Sequence, residues 1–460
     1  FFQLFRLTDS NHLPIDTQLS SIIEETLSYI FTGKTSDDPL NELILKTSLS
    51  WQKIQVIKAY RNYYLQIQQT HTKDKLNETL IKHPQICNLL FTYFDFKFNP
   101  QYTDKTRQEN QSKTDTAIKK HLEEVPDIIE DTILRQLIIL MQSTVRSNYY
   151  LPETQFSVSL KFNSGKIPFL PNPKPFREIY TYDTNMEGIH LRFGKVSRGG
   201  IRWSSRPDDF RTEVLGLAKT QQTKNVVIVP EGSKGGFIVK HNPFSELNNE
   251  VTAYQTFIHS MLDITDNIIN GKVCRAKELV IYDTDDPYLV VAADKGTATF
   301  SDTANQIALE KNFWLGDGFA SGGTHGYDHK KVGITAKGAW ECTLLHFKEL
   351  GLNPDKTPVS AIGVGDMSGD VFGNGFLLSK RINLVAAFNH IHIFIDPTPN
   401  CQKSWQERNR LFKLKKSTWK DYKSSALSKG GGIFDRSAKA IPLSAEIQKT
   451  LEFEIDFEEE

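Results

Sequence analysis

The chain of 460 residues lacks an excess of either charge: 55 lysines and arginines stand against 55 aspartates and glutamates. That balance argues against nucleic acid or a membrane surface as the main partner. No apolar run reaches transmembrane length. The opening FFQLFRLTDSN turns polar too soon for a secretory leader. Cysteine is scarce, with four residues (Cys87, Cys274, Cys342 and Cys401) spread far apart. This spacing excludes a cysteine metal cluster and fits reduced thiols, so a cytoplasmic protein is expected. No internal repeat is present.

What remains is ample for folding. Hydrophobic residues make up 39% of the chain, and the length suits two or three domains. Apolar positions recur at three and four in SSIIEETLSYIF (20–31), WQKIQVIKAYRNYYLQI (51–67) and IEDTILRQLIILMQSTVRSNYY (129–150), which predicts helices. The polar tract Asn99–Thr116 reads as a loop. From residue 155 the period changes. FSVSLKFN, REIYTYD and GIHLRFG alternate as strands do, and PDDFRTEVLGLAKTQQTKN reads as a helix with acids early and lysines late. LVIYD (279–283) and YLVVAAD (288–294) are further candidate strands. VSAIGVG (359–365), a glycine turn with a helix, and INLVAAFN (382–389) read as the start of a dinucleotide fold, with the first of these strands buried.

The most informative stretch runs from Gly194 to Lys240. It brings Arg198, Lys224 and Lys234 close together in sequence. Lys234 lies in GSKGG, expected as a turn directly after the strand-like run Val226–Pro230. Any one of these cations alone would read as a solvated surface residue. Glycines flanking Arg198 and Lys234 serve no purpose on such a face, so three cations here point to a pocket for a molecule with more than one carboxylate. Burial and neighbouring like charge would favour a neutral, basic lysine amine. The turn is not a phosphate-binding P-loop, because Gly235 rather than serine or threonine follows the lysine.

These residues resemble the glutamate dehydrogenases, most closely their large-subunit, NAD-specific class. The resemblance rests on Arg198-Gly199-Gly200-Ile201-Arg202-Trp203, then Lys224-Asn225, then Gly232-Ser233-Lys234-Gly235-Gly236. It covers nearly the whole chain. It implies an α/β protein with a helical region (1–150), a mixed α/β catalytic domain (151–355) and the first part of a Rossmann-like NAD domain (356–460). Members of the large class are several times longer. This chain has no initiator methionine and closes on FEIDFEEE, so an internal segment is expected.

The resemblance also implies roles. Arg198 and Lys224 would hold the carboxylates of glutamate or 2-oxoglutarate, and Lys234 would do chemistry. Asp294, in Ala292-Ala293-Asp294-Lys295, would transfer a proton, with Lys295 as a weaker second candidate; by itself it would read as a turn-capping aspartate. Thr335, in GITAKGAWE, would either cap a helix or face the ligands. The loop Gly363-Val364-Gly365-Asp366-Met367-Ser368-Gly369 departs from the usual glycine spacing but has the right setting for pyrophosphate. Asn389 stands where an acid for the ribose is usual, and Asp396 lies further along. That neutral residue weakens the expected rejection of NADP. His325 and His329 are a pair four apart with no third ligand, so no metal is expected. The resemblance further implies NAD as the cofactor and a homo-oligomer for the full-length protein.

Overall fold

Buried apolar faces every third or fourth residue shape the first part of the chain. The computed structural model describes residues 19–451, apart from 48, 69, 153–156, 225–230, 246–248, 298, 325, 327–328, 355 and 415–416. Two compact units result, residues 1–325 and 326–460.

The first unit opens with helices α1 (Ser20–Phe31), α2 (Leu43–Thr47), α3 (Trp51–Ile67), α4 (Lys73–Lys82), α5 (Pro84–Phe98), α6 (Asp104–Glu123) and α7 (Ile128–Ser143). α3 is buried nearly all round, as a central helix must be. The predicted loop at 99–116 is non-helical only to Thr103; from Asp104 it is the first part of α6. Thr103 caps that helix by accepting from the Thr106 amide, and Arg107, Thr114, Ile118 and Leu122 bury one stripe. The sequence hides this stripe because only two of its four members are apolar. The helix predicted to reach Tyr150 stops at Ser143. Thr144–Ser147 becomes strand β1, because Arg146 must extend to buried Asp266 and Asp283.

Strands β2 (Val158–Phe162), β3 (Arg177–Tyr182), β4 (Met186–Arg192), β5 (Ser197–Arg198) and β6 (Ile201–Trp203) follow. Helix α8 (Phe210–Lys224) and strand β7 (Glu231–Val239) come next. One sheet runs in the order β1-β2-β3-β4-β7-β5, with β6 also paired to β7. The long pairs are antiparallel, whereas β5 and β6 lie parallel to β7. One core joins this sheet to α3, α5, α7 and α8. Its centre holds Tyr63 stacked on Phe162 at 4.3 Å, with Tyr63 and Arg211 both donating to the buried carboxylate of Glu178. A second core packs α9 (Glu250–Asp263) with β10 (Val291–Ala292), α10 (Ser301–Glu310) and β11 (Ala320–Ser321), while the hairpin strands β8 (Asn267–Ile269) and β9 (Lys272–Cys274) lie outside it.

The two strands predicted at 279–294 shrink to β10, paired in parallel with β11. The intervening chain is irregular because its acids turn inward: Asp283 and Asp286 meet Arg146, Lys161 and Arg192 in a buried ion network. GSKGG is likewise part of β7, not a turn.

The second unit contains α11 (His329–Val332), α12 (Ile334–Glu349), β12 (Val359–Val364), α13 (Asp370–Gly375), β13 (Ile382–Phe388), β14 (His392–Ile395), α14 (Cys401–Lys413), β15 (Gly432–Asp435) and α15 (Ala445–Leu451). Its sheet order is β12-β13-β14-β15, with the first pair parallel and the others antiparallel. Trp419, Phe394 and Leu411 form the core. β12 departs from the expectation of a buried strand: Ile362 and Val364 are 69% and 74% exposed. Alternate residues 360, 362 and 364 are exposed, so one face of the strand is uncovered among the described residues.

Candidate active site

Lys234 is the fourth residue of β7 and only 5% exposed. Side chains alternate along a strand, so positions 232, 234 and 236 share a face. That face looks onto α8: a Cβ at Gly232 would collide with the backbone of Gln221. Glycine is required there because helix and strand approach so closely. This explains a glycine run inside a strand, where turn chemistry would be the first reading.

The parallel strands bring the other residues in. Arg198 is in register with Gly232, and Arg202 with Gly236, on either side of the lysine. Arg198 is half-buried, and its guanidinium makes no hydrogen bond or ion pair among the described residues. Lys224 is the last residue of α8, so its backbone closes the helix lying over Gly232. Its side chain falls outside the described structure, as do Asn225 and the predicted strand 226–230.

Asp294 follows β10, and Ala293 forms a parallel bridge with Ile201 of β6. Close approach at Gly200 permits this, for a Cβ there would lie 3.0 Å from the Ala293 carbonyl oxygen and 3.3 Å from the Asp294 Cβ. The Asp294 amide donates to Thr297 Oγ1 at 3.0 Å, and that hydroxyl donates to the Ile201 carbonyl at 2.7 Å. So fixed, the carboxylate forms an ion pair with the Lys234 ammonium. The nearest charge to Lys234 is therefore a carboxylate, not the second cation expected from sequence. Burial pushes the Asp294 carboxyl up. The hydrogen bond and charge of Lys234, the Lys295 amide and Arg202 outweigh it and hold the group below the usual carboxylate range. Lys295 contributes through its backbone; its side chain is exposed.

One participant has no role assigned from sequence. Arg202 donates from Nε to Asp294 at 3.3 Å and from Nη1 to Glu213 of α8 at 2.9 Å. Ser204 donates to the other Glu213 oxygen at 2.5 Å. The alternation of Arg202 with the glycines beside β6 is the signal in the sequence that could have found it.

In the second unit, Gly365 takes φ +133°, which only glycine adopts easily, and its amide donates to the Phe388 carbonyl at 2.7 Å. This turns the loop across the end of β13. Met367 anchors the loop in the core, while Gly363 lies under Phe372. Asp366 accepts from the amide and hydroxyl of Ser368. Gly369 precedes α13. The Asn389 side chain is spent locally: its amide donates to Asp366 at 2.7 Å, and its oxygen accepts from the Ile391 and His392 amides. Asp396 is buried against Ser428 instead of lying at the end of β13. Thr335 is exposed in the first turn of α12 and is not its cap; Gly333 occupies that position. Among the described residues no cluster of histidine, cysteine or acid side chains could hold a metal, and His325 lies outside them. No helix among the described residues is long and apolar enough to cross a membrane.

A lysine–carboxylate pair, its lysine buried, lies where an antiparallel sheet meets short parallel strands, and the neighbouring Arg198 has no side-chain partner among the described residues. Two family descriptions match the chain: bacterial NAD-glutamate dehydrogenase, catalytic domain, over residues 117–458, and glutamate dehydrogenase, helical motif 3, over residues 35–100. The chain belongs to the bacterial NAD-glutamate dehydrogenase family. It is 47% identical over 464 residues to an NAD-specific glutamate dehydrogenase of Pseudomonas aeruginosa, covering 98% of this chain and 29% of that protein. It is 44% identical over 444 residues to the Mycobacterium tuberculosis enzyme of the same name, covering 93% of this chain and 27% of that one. The chain thus spans under a third of these relatives' length. Among solved structures, the hetero-hexameric glutamate dehydrogenase of Thermus thermophilus aligns over 64% of this chain and 65% of its own, at 15% identity and a TM-score of 0.34.

Proposed function

We propose that the full-length protein catalyses the reversible NAD-dependent oxidative deamination of L-glutamate to 2-oxoglutarate and ammonia. The observation that carries this reading is the Lys234–Asp294 pair beside Arg198, whose side chain has no partner among the described residues. Arg198 can grip the side-chain carboxylate with its planar fork, and Lys224 takes the α-carboxylate. These two interactions fix the α-carbon. Bound NAD would supply the hydride acceptor for that carbon. Asp294, ionised because of its cationic neighbours, accepts the proton that leaves the substrate nitrogen and returns it to departing ammonia. Lys234, after its ammonium has released a proton to solvent, holds at Nζ the water that adds to the iminium carbon and takes a proton from it. Each turnover consumes one water and releases one proton besides the ammonium ion.

The residues at the ends of β12 and β13 fit a dinucleotide. Gly363, Gly365 and Gly369 keep the loop free of bulk, and the amides of Asp366, Met367 and Ser368 lie in it. Asn389 supports that loop through Asp366, and Thr335 is a further candidate contact on the same unit. We read residues 1–150 as the helical region, 151–355 as the catalytic domain and 356–460 as part of the cofactor domain. Four free cysteines fit a reducing, cytoplasmic setting. We read the full-length protein as a homo-oligomer.

The test is the full-length protein supplied with L-glutamate and NAD. Equal amounts of NADH, ammonia and 2-oxoglutarate are expected. NADH formed faster with leucine or phenylalanine than with glutamate would replace this reading by an apolar amino-acid dehydrogenase.

A further inference from the structure

Arg202 and Glu213 form a bridge that no substrate contact requires. Arg202 lies in β6, whose neighbour β7 carries Lys234. Its guanidinium faces two carboxylates at once. Nε and Nη2 approach Asp294 at 3.3 and 3.5 Å, and Nη1 donates to Glu213 at 2.9 Å. Glu213 belongs to the first turn of α8, the helix that ends at Lys224. Its second oxygen is taken by Ser204, just past β6. The side chains of Arg202 and Asp294 are each 20% exposed, so water screens this bridge only partly.

The energetic logic follows from what Asp294 would do without it. Lys234 alone can pair with a carboxylate from many rotamers, because an ammonium is a point charge. A planar guanidinium on the other side removes that freedom and aims the carboxylate. Arg202 is itself anchored by Glu213, so it keeps its place if Asp294 shifts. The anchor runs to the same helix that ends at Lys224.

We propose that Arg202 is a positioning residue for Asp294, fixed by Glu213, and that it does not bind the substrate. This rests on the glutamate dehydrogenase reading above. Removing the guanidinium leaves Asp294 mobile and less favoured as an anion. The expected result is a loss of turnover and a less acidic lower limb of the pH profile, with little change in glutamate affinity.

The experiment uses the full-length protein and the variants Arg202→Gln, Arg202→Lys and Glu213→Gln, with Lys234→Ala as the reference for the reading itself. Thermal denaturation confirms that each variant is folded. Arg202→Gln should lower kcat by ~10- to 100-fold, the scale of losing one well-placed proton-transfer partner. KM for glutamate should stay within about twofold, as for a group that acts only on the chemical step. The acid limb of kcat/KM should move to higher pH, because Asp294 must be ionised in the free enzyme and would lose a stabilising cation. Arg202→Lys should recover part of kcat, and Glu213→Gln should shift the limb the same way by less. A raised KM with kcat retained would make Arg202 a substrate ligand and overturn the proposal. So would an acid limb that does not move in Arg202→Gln, or in Glu213→Gln should Arg202→Gln fail to fold. If Lys234→Ala keeps its activity, the underlying reading fails instead.

Discussion

Asn389 donates its side-chain amide to the carboxylate of Asp366 at 2.7 Å, joining the ends of two neighbouring parallel strands. Burial pushes the Asp366 carboxyl up, but Ser368 and Asn389 outweigh it and keep the group below the usual carboxylate range. The first consequence concerns Asn389→Asp. It would set two carboxylates against each other and lose a charge-assisted hydrogen bond, at a cost of about 1–3 kcal/mol. The expected outcome is a lower thermal midpoint for the second unit and a parallel fall in kcat/KM for NAD and NADP. A fall confined to NADP would place Asn389 at the ribose instead.

His190 gives a pH prediction. It is 1% exposed, and neither ring nitrogen finds a partner among the described residues. Burial pushes it down to about 3, helped by Arg192 and opposed by Asp286. The unfolded chain therefore binds a proton near pH 6.5 that the folded chain refuses. Stability should fall as pH drops from about 6.5 towards 3, by about 1.4 kcal/mol per pH unit at most. Denaturant melts at pH 7 and pH 5 measure the slope. His190→Leu should flatten it between about pH 6.5 and 4.5, above the range where carboxylates titrate in the unfolded chain. An unchanged slope would mean that His190 is not the group responsible.

The Glu178–Arg211 pair tests the first core. Both side chains are at most 1% exposed, and Tyr63 also donates to the carboxylate. Arg211→Met leaves a buried carboxylate without its cation and should cost about 3–5 kcal/mol. Removing both charges, as Glu178→Gln with Arg211→Met, should recover part of that loss. Equal destabilisation by the single and double variants would contradict this account of the pair.

Arg198 should read the side-chain carboxylate. Arg198→Met is expected to weaken glutamate by about 2–5 kcal/mol in kcat/KM, the scale of removing one partner from a desolvated charge pair. Norvaline, which lacks that carboxylate, should be affected far less. Equal losses for both substrates would remove Arg198 from that role.

Much of this can be read from the chain itself. Alternation in REIYTYD and GIHLRFG marks β3 and β4, and the glycines beside Arg198 and Lys234 mark the site. GSKGG reads as a turn because glycine is a turn residue by local chemistry. Here its cause is distant: α8 presses on one face of β7 and β4 pairs along its edge. The strands predicted at 279–294 fail for a similar reason. Their acids satisfy cations that lie as far back as Arg146, and a period-two pattern says nothing of such partners. Arg202 is visible as part of a motif, but its role depends on Asp294, 92 residues away.

The most direct test of the account is Lys234→Ala in the full-length protein, assayed for glutamate-dependent NADH formation. Removing the buried amine should lower kcat by at least ~10²-fold, the usual contribution of a positioned general base. NAD affinity, followed by ligand-induced fluorescence quenching, should change little. A variant that turns over glutamate at the wild-type rate would contradict the claim that Lys234 and Asp294 form the catalytic pair.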